Sequence, residues 1–155
     1  MSASIGVLSL VLGGLASPED APRIWLTWWL GDAVGDIVIA PALIIWIGVK
    51  PAPSWTRRKL IEGIGLLLVT VAVAYATFGG AFPERHYPLT VLLWPVMIWV
   101  AFRFGPREAA TLMLVISATA IARTLAGVGP FAVYARNESL VLLQVWTGIT
   151  AVTNL

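Results

Sequence analysis

Charge is what this chain has least of. Of its 155 residues only 12% are charged and 59% are hydrophobic, whereas a soluble domain carries about 25% charged residues. Half of an ordinary surface's charge is missing, so the bilayer rather than water is the expected solvent. Cysteine is absent altogether, which excludes disulfides and thiolate metal sites and leaves the redox compartment unread. There is one histidine, His86, beside Glu84 and Arg85. It has no second ligand at metal-binding spacing, so no metal is expected. The opening MSASIGVLSLVLGGL lacks the basic n-region and small-residue cleavage site of a signal peptide. A dense basic face is lacking too. The ten Lys and Arg, net charge +2, sit scattered at the ends of apolar runs, which argues against nucleic acid as a partner. HExxH, GxSxG, a phosphate-cradling glycine loop and kinase or cyclase signatures are all missing. No enzyme, catalytic residue or cofactor is therefore expected.

What is present is a series of apolar runs. They cover Ala3 to Leu15, Ile24 to Val49, Leu60 to Phe78, Pro88 to Phe104, Glu108 to Leu125 and Glu138 to Leu155. Backbone in hydrocarbon must satisfy its own hydrogen bonds, and these runs lack the alternation of barrel strands, so each is expected to be a helix. The fold class is all-α: a polytopic transmembrane bundle of about six segments. The first run is shorter than the roughly 20 residues a span needs. The last has no basic flank, and no soluble domain follows. The chain is thus expected to be a piece cut at both ends.

Helix punctuation lies between the runs. Ser17-Pro18 and Pro22 close the first loop, Lys50-Pro51 and Pro53 end the second helix, and Gly79-Gly80 stop the third. Pro88 opens the fourth, Gly105-Pro106 reverse the chain, and Asn137 is the expected N-cap of the sixth, with Glu138 set on its dipole. Lys50, Arg57, Arg58 and Lys59 follow the second run, and Arg103 and Arg107 follow the fourth. With alternate crossings these residues share one side, the cytoplasmic one, and both termini are expected there.

Two carboxylates interrupt the second run, WLTWWLGDAVGDIVIAPALIIW. Asp32 and Asp36 are one helical turn apart, with Gly31 and Gly35 as a GxxxG step beside them. On a helical wheel, Trp25, Trp28, Trp29, both glycines and both aspartates fall on one half. Leu26, Leu30, Val34, Ile37 and Val38 fall on the other. The aliphatic half is expected to face lipid and the carboxylates to point inward, where the glycines admit a neighbouring helix. An aspartate at mid-membrane costs about 2.5–3.5 kcal/mol on insertion scales, and such residues tend to mark function. A proton-responsive acid, a cation or ligand site, and a purely structural acceptor of hydrogen bonds all remain open. Arg123 is the one basic residue well inside a run. It is expected either to pair with Asp32 or to snorkel to the outer headgroups. The three clustered tryptophans fit an interfacial belt or a ligand pocket, and Pro41 fits a kink or a tolerated proline.

The block WWLGDAVGD with the following Ala40-Pro41 resembles MASE1, an integral-membrane sensory domain of bacterial signalling proteins. The stretches LLWPVMIWVAFRFGPREAA and NESLVLLQVW resemble the family's later helices. The resemblance covers almost the whole chain but only the C-terminal part of the domain, whose more N-terminal helices carry a W-P-x-G type motif. It implies a multi-pass protein of the bacterial inner membrane and an output module outside this chain, typically a histidine kinase, diguanylate cyclase or phosphodiesterase. Another membrane protein or a second copy is the implied partner, besides the bilayer. Trp28, Trp29, Gly31, Asp32, Gly35, Asp36 and Pro41 occupy the characteristic positions, and Arg123 joins them as a sensing candidate from the residues alone. Two rival readings stand beside the sensor. A proton- or cation-coupled transporter or channel predicts a flux lost in Asp36→Asn. A structural subunit predicts that both Asp→Asn changes affect assembly more than any response.

Overall fold

The computed structural model describes residues 1–48, 56–79, 89–132 and 135–154. Among these it contains six helices: α1 (Ser2–Leu12), α2 (Ala21–Gly48), α3 (Arg57–Phe78), α4 (Leu93–Arg103), α5 (Pro106–Leu125) and α6 (Arg136–Asn154). One 3-10 turn, Leu89–Leu92, leads into α4. The expected stops at Lys50, Pro51, Pro53, Gly80 and Pro88, and the Glu84-Arg85-His86 loop, lie outside the described residues.

Apolar periodicity and turn chemistry account for most boundaries. Both α1 and α5 end in a Schellman motif. Gly14 (φ 69°) and Gly127 (φ 76°) take the left-handed position. Leu15 N–H then reaches the Leu10 carbonyl at 2.9 Å, and Val128 N–H the Arg123 carbonyl at 3.0 Å, so orphan carbonyls are satisfied. Thr56 caps α3 by accepting from the Lys59 N–H. Pro106 opens α5, where its missing N–H costs nothing.

Two expectations are corrected. The fourth run is not one helix, because Pro95 has no N–H to bond the residue-91 carbonyl. The α-helix begins only at Leu93, which leaves Pro95 in a first turn that needs no such bond. Asn137 is not an N-cap either. Helix α6 already starts at Arg136, and the Asn137 Oδ1 instead accepts from the Thr27 hydroxyl at 2.7 Å. Pro41 lies inside α2, which continues as a helix on both sides of it.

Among the described residues, three helices are long and apolar enough to cross a membrane: α2, α3 and α5. Helix α5 is the interior one. Its most apolar stretch is 44% buried, against 11% for α2 and 17% for α3, so the latter two present most of their surface outward. Met113, Ile116 and Ala120 of α5 form the centre with Phe78, Leu93, Met97 and Leu143. At one end of the bundle, Arg103 grips Glu62 through two bonds of 2.9 and 3.0 Å. Arg107 Nη2 donates to the Trp46 carbonyl at 2.7 Å at the same end. At the other end Arg23 meets Glu138 at 3.6 Å. Consecutive helices α2 to α6 therefore alternate in direction. Helix α1 descends only to the depth of Asp32, to which Ser2 donates a hydrogen bond. Its first residue thus lies at mid-bundle and not at the basic end.

Candidate functional site

The site is built on α2, which uses two faces. One receives α1. Trp25 Nε1 donates to the Ser4 hydroxyl at 3.0 Å, Ser2 donates to Asp32, and the Trp28 ring lies flat on Gly6. A Cβ at residue 6 would fall 2.4 Å from that ring, so α1 sits where it does because this position has no side chain. Trp29 stacks on Trp25 with ring centroids 6.1 Å apart and remains exposed.

The other face receives α5 and α6, and here the sequence reading is overturned. Val38 and Ala42 are buried, and Val34 packs on the core. Val34 and Val38 belong to the half expected to face lipid. Asp32 and Asp36 do not point into the bundle. Asp32 is exposed beside α1, and Asp36 is exposed with no partner among the described residues. The reason is that lipid is as apolar as a protein core, so hydrophobicity does not separate the two faces of a membrane helix; close packing does. Gly31 lies against Gln144, whose Nε2 would be 3.0 Å from an added Cβ, and Gly148 of α6 lies against Val34. The expected Arg123–Asp32 pair is also absent. Arg123 Nη2 donates to the Gly79 carbonyl at 3.1 Å and the guanidinium covers the Tyr75 ring at 5.2 Å. A cation at the C-terminal end of α3 is favoured by its dipole.

Between α2, α5 and α6 lies a cavity of about 360 Å³ lined by Gly31, Val34, Gly35, Ser117, Gln144 and Thr147 among others. Three of these carry buried oxygens with no hydrogen-bond partner among the described residues: Ser117 Oγ, Gln144 Oε1 and Thr147 Oγ1. Ser117 is 6% exposed and Thr147 3%. Thr70, Thr111, Thr119, Thr150 and Thr153 each donate to the carbonyl four residues back. Thr147 and Ser117 do not. A buried polar group left unpaired costs about 1–3 kcal/mol; the Thr77 and Thr124 hydroxyls, away from this space, are also unpartnered among the described residues. Gln144 and Gly31 also line a second, shallower pocket of about 350 Å³ that holds Trp28, Asp32 and Asn137. Thus Gly31 lines both spaces, Gly35 the cavity, and Trp28 and Asp32 the shallower pocket, while Trp29, Asp36 and Arg123 line neither. Ser117, Gln144 and Thr147 went unnoticed in the sequence. Their only signal is a polar residue inside an apolar run.

A larger cavity of about 480 Å³ lies toward the basic end, against Trp46, Leu66, Phe104 and Arg107. Trp46 Nε1 donates there to Thr111 at 3.1 Å and Arg107 stacks on Trp46 at 5.1 Å. Arg107 Nε has no partner among the described residues, and the Glu108 carboxylate also lines the space. No cluster of three metal-binding side chains exists among the described residues.

A family model for MASE1 matches residues 1–155, and so includes α1 as well as the WWLGD block. The chain belongs to the MASE1 family. MASE1 is a membrane-associated sensory domain found in signalling proteins, and the apolar helices agree with a membrane protein. No curated protein and no solved structure matches the chain.

Proposed function

We propose that this MASE1 domain is the input element of a bacterial inner-membrane receptor whose output is a histidine kinase or a cyclic-di-GMP enzyme. The observation that carries the reading is the α2/α5/α6 cavity. Helix α6 closes one wall with Gln144 and Thr147 and touches α2 through the Gly148–Val34 and Gln144–Gly31 contacts. An occupant that fits one spacing of α6 better than another shifts the population toward it, and only such a difference transmits a signal. Helix α6 is then the element that passes the change to the output. Joined through α6 to a diguanylate cyclase module, the chain is expected to change cyclase activity at least twofold relative to the module alone. Equal activity would contradict the reading. A proton or cation flux in liposomes that disappears in Asp36→Asn would replace it with a transporter.

The basic end, with Arg57, Arg58, Lys59, Arg103 and Arg107, is assigned to the cytoplasm, together with the C-terminal end of α6. The natural absence of cysteine makes the check direct. On intact cells an impermeant maleimide is expected to label Val128→Cys, at the opposite end, and to reach Arg58→Cys only after permeabilisation. The reverse pattern contradicts the assignment.

A further inference from the structure

Between α3 and α4, at the basic end of the bundle, lies an open hollow of about 670 Å³ lined by Arg57, Arg58, Ile61, Glu62, Trp99 and Arg103. Its charges do not balance. Arg103 holds both oxygens of Glu62, so that carboxylate is already engaged. Arg57 and Arg58 are exposed, and neither has a carboxylate within ion-pair distance among the described residues. The sequence offers little else to neutralise them. No acidic residue occurs between Asp36 and Glu62, and Glu108 lines the separate cavity against Trp46. Two positive charges are left for a partner outside the chain.

The hollow also changes character with depth. On α3, Ile61 stands one turn inward of Arg57; on α4, Trp99 stands one turn inward of Arg103. Guanidinium groups therefore ring the outer rim, and an apolar wall lies behind them toward the middle of the bundle. That wall is uncovered, with Ile61 65% and Trp99 56% exposed. A soluble anion would use the rim alone. A molecule with a phosphate at one end and hydrocarbon behind it uses both. Guanidinium forks suit phosphate oxygens in particular, because they offer paired N–H groups.

We propose that this hollow seats an anionic phospholipid, with its phosphate between Arg57 and Arg58 and the start of an acyl chain against Ile61 and Trp99. Arg103 stays on Glu62, ties α3 to α4 and shapes the hollow. Binding of this kind needs a bilayer around the chain and does not depend on the sensory reading.

Native mass spectrometry of the whole chain, released from detergent micelles, counts the lipid it retains. Phosphatidylglycerol is expected to bind about tenfold more tightly than phosphatidylcholine of the same chain length, the contribution of two basic residues near a membrane surface. Arg57→Gln with Arg58→Gln should remove that preference, whereas Arg57→Lys with Arg58→Lys, which keeps the charge, should retain part of it. Arg23→Gln, at the opposite end, should leave it unchanged. Ile61→Ser should weaken both lipids. Millimolar inorganic phosphate should displace neither. Circular dichroism checks that each variant keeps its helices. Equal binding of the two lipids, or a preference that survives the glutamine pair, overturns the site. Displacement by inorganic phosphate together with indifference to Ile61→Ser would leave a bare anion site and overturn the lipid as its occupant.

Discussion

Gly129→Ala is expected to cost about 3 kcal/mol from one added methyl group. Gly129 has φ 100°, outside the range L side chains adopt readily, and its missing Cβ would lie 2.7 Å from the Phe78 carbonyl oxygen. The clash is with backbone, so no side chain can swing away. The α5–α6 turn would have to lift off the last turn of α3. That movement breaks the contact among Phe78, Phe131 and Trp146, whose ring centroids lie 5.5 to 6.2 Å apart. Phe78 is fully buried, and aromatic pairs add about 0.5–1.5 kcal/mol beyond their buried area. Gly127→Ala is the control. It also has positive φ, but its Cβ meets nothing within 4 Å, so only backbone strain of about 1–2 kcal/mol is expected. Detergent-induced unfolding followed by circular dichroism gives both values. Equal losses would mean that the turn does not rest on α3.

The second large effect is expected at Gly6. Gly6→Val places a branched side chain where the Trp28 ring now lies, with three ring atoms between 2.4 and 2.8 Å from the Cβ position. The ring is movable, so the outcome is separation of α1 from α2 and not global unfolding, at a cost of about 2 kcal/mol in lost burial. Helix α1 has little else to hold it. It buries only Ala3 and Val7 and adds the bonds from Ser2 to Asp32 and from Trp25 to Ser4. Ala3 is 2% exposed, so in an Ala3→Cys background the thiol should react with maleimide at least tenfold faster once Gly6→Val is added. An unchanged rate would show that Trp28 adjusts while α1 stays in place.

These two glycines also show where the sequence stops being informative. Runs of apolar residues between glycine and proline breaks marked all six helices, because length and composition suffice for that in a bilayer. The split before α4 was legible in principle, since Pro95 cannot bond backwards. The facing of α2 was not. A stripe of Val34, Val38 and Ala42 reads the same to lipid as to protein, and only the shape of α6, with Gly148 opposite Val34, turns it inward. The docking of α1 depends on an absent side chain at residue 6, which no hydrophobic pattern reveals. Of the residues singled out in the sequence, Gly31 and Gly35 line the cavity and Trp28 and Asp32 the shallower pocket, whereas Asp36, Trp29 and Arg123 line neither. The polar residues in the cavity wall, Ser117, Gln144 and Thr147, come from α5 and α6, and nothing in their local spacing shows that they line one space.

The claim that unites these observations is that the spacing of α6 against α2, set by what fills the cavity, is the signal. The measurement that tests it most directly is the output of the cyclase fusion with Gly35→Leu in the sensory part. The substitution meets open space, so folding and expression should be preserved. The leucine occupies the cavity permanently, so the output should settle at one fixed level and stop responding to any occupant. An output that keeps the wild-type level and still responds to an occupant would contradict the account, because the signal would then be passing somewhere other than between α2 and α6.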